Sequence, residues 1–507
     1  MRVSIIKQAR AIFFTLSIFL TLQVHAEPTL EASLREQLDA ALELHHNSRG
    51  DAWVNATDPN ERYEALFSSF LLKKMFEQGD ADFLFASLDE AFELEVDRFQ
   101  GMGAAPAPPA GLPYPPRPIQ DRERGGLDGT SCRSCHFSGG PDGSGSGTSL
   151  ALFRGDGERL SKSTPRDAPH LMGIGYVALL AVQMSEDLNQ IKEFALQGAV
   201  RVNGPYRQEL LSKGVKFGWI TAYPTGQVSY EEVEGVSSDL IVRPFGWKGR
   251  HHSLVELVDE ALQLHHGLQT NSRLSRYQDR PALYLGDGTS SDRDQDGVSV
   301  ELYSGHPAAL ATYLTLLSQP IYSPPRGASM LFDWSEGRRW FEETGCTECH
   351  HPALRVKKEP LTIQALGRYP VTLEINPFTQ GQEPRARRVD YSSTPEGDIV
   401  SGIPIFLFSD LKRHAMGPEL SEPVSEVLEG VAPISGDVWL TRPLWGLADS
   451  APYLHDGSAQ TIEEAILRHG GEAMTSRRLY EALTEHERGQ LRLFLMSLGR
   501  PSTLLVE

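Results

Sequence analysis

Two short segments of one pattern hold the most distinctive chemistry in this sequence. Each reads Cys-x-x-Cys-His, and together they use all 4 cysteines of the chain. The N-terminal motif consists of Cys132, Cys135 and His136, and the C-terminal motif consists of Cys346, Cys349 and His350. Two thiols at this spacing can add to the vinyl groups of one haem, and the adjacent histidine can then bind the iron. The pattern therefore predicts two covalently bound haem c groups, each with the histidine of its motif as an iron ligand.

Paired cysteines have two other common uses. A thioredoxin-like dithiol needs a lowered thiol pKa but no adjacent histidine. A zinc site built from two pairs usually has them roughly 12–20 residues apart, whereas more than two hundred positions separate Cys135 from Cys346. Both alternatives stay open, but two motifs that each end in histidine favour haem.

Residues 1–26 resemble a cleaved export signal. Basic residues at the start precede an apolar run from Ala11 to Leu22, and Val24-His25-Ala26 supplies a small-residue cleavage pattern. We therefore expect a periplasmic protein without a membrane anchor, in the compartment where haem c is attached.

Charge narrows the choice of partners. The chain has 48 basic and 67 acidic residues, a net charge of −19. An acidic surface disfavours nucleic acid and suits a small basic electron-carrier protein such as a cytochrome or cupredoxin. The expected second partner is peroxide or another small oxidant.

An internal repeat predicts the domain organisation. The segment from Gly249 to Glu256 aligns without a gap with the segment from Gly457 to Glu464, and each reads as a glycine turn followed by a Ser/Thr-x-x-Glu helix cap. The fold expected is mainly α: a tandem of two cytochrome c-like helical domains with long loops, plus an N-terminal helical extension. The predicted parts after the signal are a helical region at 27–105, a Pro-rich linker at 106–125, and haem domains at 126–325 and 326–507.

Three further segments, together with the two motifs, carry a family resemblance. They read RDAPHLMGIG, FGWKGRHHSLVEL and PLWGLADSAPYLHDGSAQTIEEAILRHGGEA. The chain resembles the bacterial di-haem cytochrome c peroxidase superfamily, and within it most nearly the di-haem oxidoreductase branch, also called thiol oxidoreductases. The resemblance implies that electrons enter at the C-terminal haem and that peroxide is reduced at the N-terminal haem.

The second axial ligand of each iron would decide its role. A strong sixth ligand gives an electron-transfer haem, whereas an open position can bind peroxide. Between His351 and Pro443 the candidates for the C-terminal haem are Met416 and His414. Met416 is favoured because the wider family uses methionine at its electron-transfer haem.

The N-terminal haem has fewer candidates. No histidine or methionine occurs from Phe137 to Pro169, where many of the peroxidases have a distal histidine. His170, Met172 and Met184 follow further along the chain. The sequence therefore predicts an open, reactive N-terminal haem.

The resemblance also suggests catalytic residues. Peroxide cleavage needs an acid–base side chain, which the family takes from the region matching residues 250–266. Here that region offers His251, His252 and Glu256, and also His265 and His266. Trp247 matches a tryptophan that lies between the two haems in the family and can relay electrons.

One acidic motif lies outside the haem argument. Asp292, Asp294 and Asp296 alternate before a glycine, as at the start of a calcium loop, although no glutamate closes the loop in register. Calcium binding and a solvated acidic loop both stay open. The function alternatives that also stay open are haem-dependent oxidation or oxygenation of a macromolecular or organic substrate, and a non-enzymatic electron-transfer cytochrome.

Overall fold

The computed structural model describes the two motifs in part and most of the chain that follows them. The described residues are 132, 135–136, 151–153, 164–266, 270, 302, 305–317, 324–365, 371–375, 377–378 and 402–498, the last range with gaps at 424, 427 and 429. The predicted signal, the helical region at 27–105, the linker at 106–125 and the calcium loop with Asp292, Asp294 and Asp296 lie outside the described residues.

Helices of very different length follow one another along the chain. They are α1 (Ile174–Val202), α2 (Leu254–His266), α3 (Gly305–Leu316), α4 (Ala328–Glu343), α5 (Ile462–Leu467), α6 (Met474–Ala482) and α7 (Glu485–Met496). Within the described ranges, none of the helices has the length and apolar character needed to cross a membrane.

Small antiparallel sheets lie between these helices. The strands are β1 (Ala151–Phe153), β2 (Thr164–Arg166), β3 (Tyr206–Ser212), β4 (Val215–Ala222), β5 (Val228–Val233), β6 (Leu354–Val356), β7 (Leu361–Ala365), β8 (Val371–Ile375), β9 (Ile403–Ile405), β10 (Arg413–Ala415) and β11 (Val438–Leu440). Strands β3, β4 and β5 form one three-stranded sheet, and β1 pairs with β2, β6 with β9, β7 with β8, and β10 with β11.

The expectation of a mainly α fold is wrong, because 40% of the interpretable region is helical and 21% is strand. The strands β3–β5 and β6–β9 lie between each Cys-x-x-Cys-His motif and the repeated glycine turn. Their side chains alternate: Leu361, Ile363 and Ala365 are buried, while Thr362 and Gln364 between them are exposed. This period of two is typical of a strand with one buried face. The prediction of two helical domains rested on the repeated caps and did not take these strands into account.

The larger hydrophobic core joins segments from both sides of the predicted domain boundary at residue 325. Side chains of α1, β4 and α3 pack in one cluster with Leu354 and Val356 of β6, Ile363 of β7 and Ile405 of β9. Helices α1 and α3 approach so closely at Gly175 that a Cβ atom there would lie 2.2 Å from the carbonyl oxygen of Thr315. Cys132 of the N-terminal motif packs against this core.

A second, aromatic core supports the C-terminal motif. Trp334 and Phe341 of α4 pack on Phe494 of α7, and Phe408 joins them, with ring centroids 5.3–6.0 Å apart. A Cβ atom at Gly337 would lie only 1.9 Å from the Gln490 carbonyl oxygen, so glycine permits this helix contact. Cys346 packs against this second core.

The sequence repeat corresponds to a repeat in structure. The Ser253 hydroxyl accepts a hydrogen bond from Glu256 N–H, as the Thr461 hydroxyl does from Glu464 N–H. Isolated bridges also correspond, with Phe245 paired to His251 and Tyr453 paired to Ala459. The predicted helix caps are therefore confirmed in both halves.

Candidate functional site

Both Cys-x-x-Cys-His motifs adopt the same backbone turn. The N–H of His136 donates to the carbonyl oxygen of Cys132 at 2.9 Å, and the N–H of His350 donates to that of Cys346 at 2.9 Å. One helical turn therefore carries two sulfur atoms and a ring nitrogen in each motif. This is the donor set that the sequence predicts for haem attachment.

A backbone carbonyl fixes the ring of His350. Its Nδ1 lies 3.0 Å from the carbonyl oxygen of Phe408, so Nδ1–H donates there and the lone pair is on Nε2. Histidines that bind metals usually donate their other ring N–H in this way. Burial lowers the pKa of His350 to about 4, which keeps the ring neutral and able to bind a metal.

Arg442 provides a test of whether a haem fits here. Arg442 is half-buried, and desolvation lowers the pKa of its guanidinium to about 10. The guanidinium lies 5.4 Å from the ring centroid of Trp247, and within the described part of the chain no carboxylate forms an ion pair with it. A desolvated cation is costly unless an anion pairs with it. Haem carries two propionates, so the residues present fit haem.

His414 is held between two carboxylates. Its Nε2 lies 2.8 Å from Asp410 Oδ2, and its Nδ1 lies 2.7 Å from Glu472 Oε2. Desolvation opposes a charge on the ring, but the hydrogen bonds and charges of Asp410 and Cys349 together outweigh it and raise the pKa of His414 to about 11. Both nitrogens of an imidazolium are donors. His414 therefore has no lone pair for iron, although it lies 3.9 Å from the sulfur of Cys349.

Met416 is half-buried, and its backbone N–H donates to the Asp437 carbonyl oxygen at 2.8 Å. The backbone around Met416 packs closely against Gly470 and Gly471. A Cβ atom at Gly470 would lie 2.8 Å from the Met416 carbonyl oxygen, and one at Gly471 would lie 2.0 Å from that of Ala415. The segment 415–417 and the segment 469–471 are therefore immediate neighbours.

His469 precedes these glycines and is a residue that the sequence-based ligand candidates omit, because it lies beyond Pro443. Its Nδ1 lies 2.8 Å from the Ala465 carbonyl oxygen. Burial lowers the pKa of His469, and His469 in turn contributes, after desolvation, to the lowered pKa of His350. The signal in the sequence is a histidine at the end of a capped helix, directly before Gly-Gly.

The candidate ligands of the N-terminal haem occupy different environments. Met172 and Met184 are 6% and 0% exposed, and Met184 is part of the larger core. His170 contacts Trp445 edge to face, with ring centroids 6.3 Å apart, and lies beside Gly446. Met184 is thus a packing residue, while His170 borders the second half of the repeat.

The acid–base candidates are likewise in different surroundings. His251 is buried and its Nε2 is hydrogen-bonded to the carboxylate of Glu260, which also pairs with Arg250 at 2.9 Å. The side chain of His252 is 48% exposed, with its Nδ1 2.8 Å from Glu256. Glu256 also accepts from the N–H of His252 at the start of α2, so it serves as a helix cap.

Trp247 lies where the two halves of the repeat meet. Its indole Nε1–H donates to the Asp167 carbonyl oxygen at 2.8 Å, and its ring lies 6.4 Å from that of His455. His455 stacks on Trp439 with ring centroids 3.8 Å apart. Burial raises the pKa of Asp167 to about 7, with a further rise from Asp456.

Comparison with known proteins identifies the C-terminal part of the chain. Residues 388–498 match the family model described as "Di-haem oxidoreductase, putative peroxidase". Among solved structures, hydrazine synthase from Kuenenia stuttgartiensis, pressurised with xenon, matches at 20% identity and a TM-score of 0.22. That match covers 39% of this chain and 56% of the other. No curated protein matches. The family model confirms, over residues 388–498, the resemblance to di-haem oxidoreductases that the motifs indicate.

Proposed function

We propose that the protein is a periplasmic di-haem c-type oxidoreductase with peroxidase-like activity. Electrons from a small carrier protein enter at the C-terminal motif, and peroxide is reduced at the N-terminal motif. Haem c supplies a redox-active iron that binds peroxide where a coordination position is open. The observation that carries the proposal is the fixed, neutral ring of His350 beside Cys346 and Cys349, within a turn that the N-terminal motif repeats.

The two motifs differ in their surroundings, and this difference supports separate roles. Near the C-terminal motif, Met416 and His469 lie in adjacent segments. For the N-terminal motif, Met184 is used in the larger core, and His170 packs against Trp445. The C-terminal motif therefore suits electron transfer, and the N-terminal motif suits an open reactive site.

His251 is the best acid–base candidate among the three residues expected from the sequence. Its hydrogen bond to Glu260 fixes the orientation of the ring, and an imidazole held in place is the most common acid–base group in enzymes. His252 and Glu256 pair with each other at the start of α2, which is a structural arrangement. In this proposal His251 moves the proton, and Trp247 lies on the path of electrons between the two motifs.

Arg442 would pair with a propionate of the haem. Its guanidinium lies next to the indole of Trp247 and would supply the cation that a carboxylate needs.

The experiment that tests the proposal uses the mature protein purified from a periplasm. Its mass should exceed that of the polypeptide by two haems, and one ferric haem should be high-spin and bind cyanide. Peroxide should then be consumed with oxidation of a reduced cytochrome or cupredoxin. Two haems that are both low-spin and do not bind cyanide would instead identify an electron-transfer cytochrome, and a mass without haem would contradict the proposal.

A further inference from the structure

We propose that His469 is the sixth ligand to the iron of the C-terminal haem, in place of Met416. The inference deepens the proposed function and rests on attachment of that haem at Cys346 and Cys349. It would make this iron a bis-histidine centre.

A backbone hydrogen bond fixes the ring of His469 and its tautomer. Its Nδ1 lies 2.8 Å from the carbonyl oxygen of Ala465, in the last turn of α5. Because a carbonyl can only accept, Nδ1 carries the hydrogen and Nε2 carries the lone pair. His350 has the same arrangement with the carbonyl oxygen of Phe408. Both rings are therefore fixed as Nε2 ligands.

The segment that carries His469 borders the C-terminal motif. It continues to Glu472, whose carboxylate lies 2.7 Å from Nδ1 of His414, and the same nitrogen lies 3.9 Å from the sulfur of Cys349. A Cβ atom at Gly345, directly before Cys346, would lie 3.1 Å from the hydroxyl oxygen of Ser476 in α6. The chain on both sides of position 472 is therefore adjacent to the motif that contains His350.

The backbone directly after His469 is tightly packed. Gly471 has a φ of +50°, and Gly470 and Gly471 both lie against the carbonyl oxygens of Ala415 and Met416 at distances that admit no Cβ atom. The chain that carries His469 is therefore held in one position. A ligand held in place before the cofactor binds loses little freedom when it binds.

The competing ligands are weaker candidates. His414 has both ring nitrogens bonded to carboxylates. Met416 donates its backbone N–H to the carbonyl oxygen of Asp437, and its thioether ends a flexible, unbranched side chain. Met416 nevertheless lies next to the glycines after His469, so the experiment must separate these two residues.

The wild-type holoprotein gives the first test without any substitution. Oxidised haem with a methionine sulfur ligand shows a sulfur-to-iron charge-transfer band at the red end of the visible spectrum, and bis-histidine haem does not. We expect the fully oxidised protein, with two haems established by mass, to lack this band and to show a low-spin signal of bis-histidine type in electron paramagnetic resonance. The sulfur band in the wild-type protein would overturn the inference while leaving the proposed function in place.

Matched variants give the second test. His469→Gly should convert the low-spin C-terminal haem to high-spin, and added imidazole should restore the low-spin signal. Met416→Leu, which keeps the volume, should leave that signal unchanged. The opposite pattern, with the signal lost in M416L and kept in H469G, would overturn the inference. A mass without haem in the wild-type protein would instead contradict the proposed function.

Discussion

The indole of Trp247 and the imidazole of His455 lie edge to face at 70°, with their centroids 6.4 Å apart. The two residues occupy equivalent positions in the sequence repeat. The backbone carbonyl oxygen of each residue also accepts a hydrogen bond from the other half of the repeat. Asp167 N–H donates to the His455 carbonyl oxygen, and Leu440 N–H donates to the Trp247 carbonyl oxygen. Each half of the repeat therefore contributes the same position to one shared contact.

Trp247→Phe should slow electron transfer between the two haems, because it removes the indole from the junction. It also removes the hydrogen bond to the Asp167 carbonyl, which should lower the free energy of unfolding by about 1 kcal/mol. Stopped-flow reduction followed at each haem measures the rate. Trp340→Phe is the matched control, because it too loses an indole hydrogen bond, to Gln490, but lies in the second core. Equal rates in both variants would contradict a role for Trp247 in electron transfer.

Arg442→Met should destabilise the haem-loaded protein by about 2 kcal/mol, since it leaves a propionate without its cation. In a chain without the C-terminal haem, made by replacing Cys346 and Cys349 with alanine, the same change should be neutral or stabilising, because it removes a desolvated charge that has no carboxylate partner among the described residues. Denaturant unfolding of both pairs measures this change of sign. Destabilisation of equal size with and without haem would show that Arg442 has only a packing role.

Asp167→Asn should alter how stability depends on pH. The pKa of Asp167 rises from 3.8 to about 7 on folding, chiefly through burial. Between these values the folded protein binds a proton that the unfolded chain does not, so this residue makes stability fall as pH rises. At pH 8 the variant should be more stable than the wild type by about 4 kcal/mol at most. Denaturant unfolding from pH 4 to pH 8 should show parallel curves if the prediction is wrong.

His251→Asn should reduce peroxide turnover by about 100- to 10,000-fold, the usual effect of losing an acid–base group. The variant should keep both haems and the cyanide affinity of the reactive one. His252→Asn is the control, because that side chain is exposed and pairs with Glu256, and its activity should stay within about twofold. If H252N were the impaired variant, the assignment of His251 would be wrong.

Local patterns in the sequence predicted the features that depend on neighbouring residues. The caps at Ser253 and Thr461 are of this kind, because a side chain and an N–H three positions apart form each of them. The turn shared by the two motifs is equally local. The family resemblance rests on such segments as well.

Features that depend on contacts between residues far apart in the sequence were harder to predict. Strands β6–β9 pack in the larger core with α1, and no local pattern pairs segments so far apart. The engagement of His414 by Glu472 and the approach of Gly470 to Met416 are also long-range. For this reason the sequence could name Met416 and His414 as ligands but could not distinguish them from His469.

The core shared by residues on both sides of position 325 bears on how the protein is made. Cys132 packs against a cluster that includes Leu354, Val356 and Ile405, which follow it by more than two hundred residues in the sequence. The surroundings of the N-terminal motif are therefore incomplete until most of the chain has been synthesised. Folding around the two motifs should thus be coupled, and a chain truncated before β6 should stay unfolded and be degraded by proteases rather than fold around the N-terminal motif alone.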